Sequence, residues 1–299
     1  MTPVAVLITI ASYFLILFTI SYIAGRKADN EGFFVGNRKS AWYVVAFAMI
    51  GSSISGVTFV SVPGMVGISN FSYLQMVLGF VTGQIIIAFV LIPLFYRMDL
   101  VSIYEYLENR FGTSSYKTGA WFFFISKILG AAVRLYLVCL TLQLLVFEPF
   151  HMPFIMNVIL TVALVWLYTF RGGVKSLIWT DSLKTFCLIV SVVLCIYYIS
   201  TDLKLSFTEM FSTVSDSALS HMFFFDNVND KRYFFKQFLA GVFTMIAMTG
   251  LDQDMMQRNL SCKNFKDSQK NMITSGISQF FIILLFLMLG VLLYTCLLY

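Results

Sequence analysis

Long, nearly uncharged runs alternate with short polar connections along most of the chain. Eight apolar runs stand out, at about 4–24, 41–66, 71–96, 119–147, 152–170, 182–200, 235–256 and 273–298. A helix rising 1.5 Å per residue needs roughly 20 residues to cross about 30 Å of hydrocarbon, and these runs match that requirement. A soluble chain would instead carry helices with a 3.6-residue apolar stripe and a charged face. The pattern predicts an all-α integral membrane protein. The first run is read as a span and not as a cleaved leader, because no basic residue precedes it and no small-residue cleavage pattern stands before Arg26.

Composition agrees with the pattern. Of 299 residues, 59% are hydrophobic and 12% are charged, about half the charged share of an average soluble domain. The five cysteines (Cys139, Cys187, Cys195, Cys262 and Cys296) lie mostly within apolar runs without metal-ligand spacing, and read as structural thiols. His151 and His221 fall in connections and cannot form a metal cluster alone. No phosphate loop, zinc-binding His-Glu-x-x-His or Ser/His/Asp set is present, so no enzyme chemistry and no cofactor is expected.

The net charge of +5 follows from where the basic residues sit, without a nucleic-acid partner. Arg26, Lys27, Arg38 and Lys39 occupy the first connection, and Arg97, Arg110 and Lys117 the third. Arg171 and Lys175 lie in the fifth, and Arg258, Lys263, Lys266 and Lys270 in the seventh. The second and fourth hold none, and in the sixth, about 201–234, acidic residues outnumber basic ones. The positive-inside rule then predicts cytoplasmic odd connections, an external N-terminus and an external loop at 201–234, in a plasma (inner) membrane. The apolar ending at Tyr299, without a basic anchor, reads as a truncation.

Four places break the rules of a lipid-facing helix. Gly51, Ser52, Ser53, Ile54, Ser55, Gly56, Val57 and Thr58, followed by Pro63 and Gly64, fit either an unwound turn whose carbonyls coordinate a cation or a small-residue packing face. Arg134, near the centre of its run, must face protein or water, opposite a substrate carboxylate or an internal acid. Asp181 fits a helix N-cap or a buried carboxylate serving a cation. The stretch Gly250–Arg258 brings charge early and fits a broken helix or a plain helix end.

In order, these features resemble the sodium:solute symporter family, which includes sodium/glucose, proline and sialic acid symporters. The resemblance runs from about Phe33 to Gln279. It includes Phe33-Phe34-Val35-Gly36-Asn37-Arg38, the Gly/Ser-rich second span, Ile103 to Phe111 with Glu105, Glu108 and Arg110, Arg171-Gly172-Gly173 leading to Trp179-Thr180-Asp181, and Asp252-Gln253 with Gln257-Arg258. It implies a LeuT-like five-plus-five inverted repeat: an extra helix at 4–24, a first repeat at 41–200, the external loop at 201–234 and an incomplete second repeat at 235–299, all one membrane domain. It also implies sodium as the coupling ion, held by carbonyls of Gly51 and Ile54, with Asp181 on a sodium path or second site. Sugar ligands of the glucose branch are not kept: Met245–Thr249 lacks the asparagine and aromatic gate, and Gln279 stands where a lysine is expected. The sialic acid branch resembles this chain in Ser55 with Thr58, Phe71 with Gln75, and Arg134. The expected function is sodium-coupled import of a small solute, such as an anionic sugar acid, by alternating access. The alternative is a non-transporting sensor on the same fold.

Overall fold

The computed structural model describes residues 3–25, 40–100, 102–169 and 173–298, and these are helical almost throughout. The Phe33–Arg38 motif and Arg171-Gly172 lie outside the described residues. Among the described residues Val4–Ile23, Gly56–Arg97, Thr113–Phe150, Ser176–Asp202 and Phe265–Leu297 are long and apolar enough to cross a membrane, and the pair Phe234–Gly250 and Gln253–Leu260, bent by 68°, gives a sixth when counted as one broken span. The protein is a multi-pass membrane protein. The chain divides into two compact units, residues 1–39 with 100–180, and 40–99 with 181–299.

The first unit contains α1 (Pro3–Gly25), α6 (Ile103–Phe111), α7 (Thr113–Leu142), α8 (Phe154–Thr169) and the opening of α9 (Gly173–Asp202). Gly112, at φ 87°, turns the chain from α6 into α7, a left-handed conformation that a side chain would strain. The α7–α8 corner is tied by Asn157 Nδ2 donating to Cys139 O at 2.7 Å and Gln143 Nε2 donating to Met152 O at 2.8 Å. Such bonds matter more in lipid, where no water replaces a lost partner. Most large apolar side chains of α7 point outward, as expected of a helix whose solvent is hydrocarbon.

The second unit begins with α2 (Trp42–Ser53), α3 (Gly56–Ser69) and α4 (Tyr73–Ile86), which continues through a π-helical turn, Ile87–Leu91, into α5 (Ile92–Arg97). It continues with the rest of α9, α10 (Phe207–Asp216), α11 (Phe234–Met245) with its own π turn Ile246–Gly250, α12 (Gln253–Leu260) and α13 (Phe265–Leu298). Met49, Ile54, Ile87, Ile92, Phe95, Phe286, Leu287 and Leu292 fill its core. α13 packs on α2, α3 and α4, and α4 packs closely on α11. Glycines permit these approaches: a Cβ on Gly290 would lie 2.7 Å from Pro63 O, and one on Gly79 2.2 Å from Phe238 O. Small-residue contacts of this kind are how helices associate where lipid removes the hydrophobic drive.

Candidate functional site

The site grows from the break between α2 and α3. Ile54 and Ser55 are extended, at φ/ψ of −98°/119° and −105°/170°. Ser55 N–H donates to Thr58 Oγ1 at 3.2 Å, and Thr58 N–H donates to Ser55 Oγ at 3.4 Å, forming a capping box. In a continuous helix those two amides would serve the carbonyls of Gly51 and Ile54. The box therefore takes the helical donors away from the two carbonyls the resemblance nominates for sodium. Ser52, Ser53, Ser55 and Thr58 stay half-buried around them. Gly51 also packs on α9, where a Cβ would lie 2.2 Å from Thr185 Oγ1 and 2.6 Å from Asp181 O. Unwinding and small-residue packing, alternatives in the sequence, coexist here.

Asp181 lies inside α9, which begins at Gly173, so it is not an N-cap. Its carboxylate accepts from Ser52 Oγ at 3.0 Å and pairs with Lys184 Nζ at 3.3 Å. Arg258 Nη1 reaches both Asp181 Oδ2 and Ser52 Oγ, while Arg258 Nη2 pairs with Asp254 Oδ1 at 3.2 Å. Arg258 is only 8% exposed and Asp181 14%. Two carboxylates thus balance two cations, and the planar guanidinium fork satisfies both acids at once.

The second break mirrors the first. α11 widens into a π turn, Leu251 N–H donates to Ile246 O at 3.0 Å, and Asp252 caps α12 through Met255 N–H at 3.2 Å. The early charges at Gly250–Arg258 mark a broken helix and not a plain end. Its second arm, α12, carries Arg258 to the end of α2, where the guanidinium donates to Ser52 and pairs with Asp181 of α9.

Phe71 and Gln75 stand elsewhere, at the α3–α4 corner. Gln75 is 0% exposed. Its Nε2 donates to Arg232 O at 2.8 Å and to Ser72 O at 3.2 Å, and its Oε1 accepts from Phe224 N–H at 3.2 Å. Phe71 N–H donates to His221 O at 3.1 Å. Both residues fasten the segment 218–234 to this corner. Arg134 belongs to the other unit, where it is exposed and has no hydrogen-bond or ion-pair partner among the described residues.

Of the sequence candidates, Gly51, Ile54, Ser55, Thr58 and Asp181 come together in one region of the second unit. Ser52, Lys184, Thr185, Asp254 and Arg258 join them without having been nominated. Ser52 lay within the small-residue run, and Arg258 read as an orientation charge.

Two interrupted helices packed against long intact spans, the first with a capping box that takes the helical donors from the Gly51 and Ile54 carbonyls, are the architecture of a secondary transporter. The comparisons carry this further. The sodium:solute symporter family matches residues 33–299, and the chain belongs to that family. Human sodium-coupled monocarboxylate transporter 2 is 25% identical over 90% of this chain and 43% of its own length. The sodium/sialic acid symporter NanT of Aliivibrio fischeri is 25% identical over 85% of this chain and 50% of its own. The human sodium/iodide cotransporter is 24% identical over 87% of this chain and 40% of its own. The chain thus spans about half the length of these relatives. A solved Na+-coupled sialic acid symporter, in a substrate-bound outward-open state, superposes with a TM-score of 0.82 and 21% identity over 95% of this chain and 60% of that one. That likeness establishes the LeuT-like fold. The family and its relatives are Na+-coupled transporters, not enzymes.

Proposed function

We propose that this chain belongs to a sodium-coupled symporter that imports a small organic anion, a sugar acid such as sialic acid being the leading candidate. The observation that carries the reading is the capping box at Ser55 and Thr58, which leaves the carbonyls of Gly51 and Ile54 without their helical donors. Hard monovalent cations are held by such oxygens at broken spans. The relatives named for monocarboxylates, sialic acid and iodide all move anions, which supports an anionic solute. Ser55 and Thr58 offer hydroxyls to it, and Phe71 and Gln75 enter by resemblance. Arg134 is assigned to its carboxylate by resemblance and by fork chemistry. The proposed organisation is an extra helix at 4–24, one repeat at 41–200 and the start of a second at 235–299, with an external N-terminus in a plasma (inner) membrane.

In this mechanism sodium favours an outward-open state by binding it more tightly than the inward-open one, and so completes the solute site. Asp181 lies on the sodium path and becomes available when Arg258 withdraws. The test is uptake of labelled sialic acid, glucose and proline by the full-length protein, with and without a sodium gradient. Sodium-dependent uptake of sialic acid that Arg134→Ala abolishes supports the whole reading. Preference for a neutral sugar, unchanged in Arg134→Ala, removes the anion assignment. Binding without uptake replaces symport with sensing.

A further inference from the structure

The π turn at Ile87–Leu91 rotates the end of the α4–α5 span, and Gln269 Nε2 on α13 donates to the Ala88 carbonyl there at 2.9 Å. Beside this join lies an open groove of about 600 Å³. Phe89, Val90, Pro93 and Leu94 line it, and it ends at Arg97. The spacing puts these residues on one helical face, an apolar strip about 7.5 Å long from Phe89 to Leu94 with Arg97 about 4.5 Å beyond it, at 1.5 Å per residue. Phe265 closes the other side, with its ring 5.6 Å from that of Tyr96. Tyr96 Oη is itself held 2.8 Å from Ser268 Oγ, which fixes the aromatic rim.

The charges around this rim are mostly basic. Arg97 is exposed and has no hydrogen-bond or ion-pair partner among the described residues. Exposed Lys263 and Lys266 flank Phe265, with Lys270 one turn further along α13, against Asp99 and Asp267. The apolar span ends in charge at this level, the depth at which phospholipid headgroups lie. An apolar strip as long as part of an acyl chain, finished by an unpaired guanidinium and flanked by ammonium groups, matches a lipid with a negative headgroup.

We propose that this groove is a binding site for one anionic phospholipid, with an acyl chain along Phe89–Leu94 and the phosphate on Arg97. Each basic side chain near a membrane surface is worth about fivefold in binding an anionic lipid. The full-length protein in neutral micelles, titrated with phosphatidylglycerol or phosphatidylcholine, reports the site as a rise in melting temperature. Phosphatidylglycerol is expected to raise it at several-fold lower concentration than phosphatidylcholine. Arg97→Gln should remove that preference, Val90→Trp should fill the groove and abolish the shift, and Lys204→Gln, on a distant loop, should keep it. Equal response to both lipids, or a phosphatidylglycerol preference that survives Arg97→Gln and Val90→Trp, overturns the proposal. So does efficient disulfide crosslinking of Phe89→Cys between copies in the micelle, which would make the groove a self-interface.

Discussion

Gly79 and Gly241 meet reciprocally where α4 crosses α11: a Cβ on Gly79 would lie 3.0 Å from the Gly241 Cα, and one on Gly241 would lie 3.1 Å from the Gly79 Cα. The same added atoms would sit 2.2 Å from Phe238 O and 2.2 Å from Met76 O. Neither obstacle is a side chain that can swing away, so the two backbones must separate. Gly79→Val and Gly241→Val are expected to cost more than about 2 kcal/mol, within the overpacking range, and to lower the melting temperature or lose the monodisperse peak in size-exclusion chromatography. Gly64→Ala is the control, since nothing lies within 4 Å of its Cβ. Equal behaviour of the three variants would contradict the tight crossing.

The capping box at the first break gives a prediction that separates structure from ion binding. Thr58→Ser keeps the acceptor for Ser55 N–H, whereas Thr58→Val keeps the shape and removes it. Loss of a cap costs about 1 kcal/mol, enough to let Ser55 N–H return to Gly51 O and continue the helix. In the full-length protein, Thr58→Val should raise the sodium concentration for half-maximal uptake severalfold, with Thr58→Ser close to the parent. A Thr58→Val protein with unchanged sodium dependence would detach the box from the ion.

Much of this region was legible in the sequence, because a break leaves local marks. Gly51 to Thr58 is too small and polar for a lipid-facing helix, and Asp252 with Asp254 brings charge into a span before it should end. What was not legible depends on distant pairing. Arg258 and Asp181 are 77 residues apart, and each has an ordinary local explanation, one as a cytoplasmic charge and the other as a helix cap. The cap reading failed because α9 starts at Gly173: helical bonding continues through the polar residues before the apolar run, where hydropathy gives no sign of it. Gln75 was obscure for another reason. Its partners are the backbone N–H of Phe224 and the backbone carbonyl of Arg232, and a backbone partner has no side-chain signature.

Cys262 sits in the turn between α12 and α13, where burial pushes its thiol up to about 12. An unfolded cysteine titrates near about 8.5. Between those values the unfolded chain has released a proton that the folded chain keeps, so stability falls as pH rises through that window and is unaffected by this group below it. Chemical unfolding in detergent should show that decline, and Cys262→Ala should show a smaller one. Maleimide at neutral pH should modify exposed Cys296 and leave Cys262 and Cys139, both buried, until the protein unfolds. Rapid labelling of Cys262 in the folded protein would be incompatible with its burial.

The pair between Asp181 and Arg258 is the sharpest test of how α12, beside the end of α2, is joined to α9. Arg258→Ala leaves the Asp181 carboxylate with Ser52 and the half-exposed Lys184 in a mostly buried place, and removal of one partner from such a pair costs about 3–5 kcal/mol. Asp181→Asn leaves Arg258 its contact with Asp254 and should cost less. If the penalty of the first variant is mainly a stranded charge, then Asp181→Asn combined with Arg258→Ala will be more stable than Arg258→Ala alone. A double-mutant cycle on unfolding free energies measures this as a coupling of 0.5–3 kcal/mol, the usual range for groups in one network. Additive effects would mean that Arg258 acts through Asp254 alone. Uptake by the same full-length variants then distinguishes a gate from a brace. If the pair holds the inner end closed, Asp181→Asn should leak solute outward without a gradient more readily than the parent, at equal protein in the membrane. If it only braces the fold, stability should fall while leak stays unchanged.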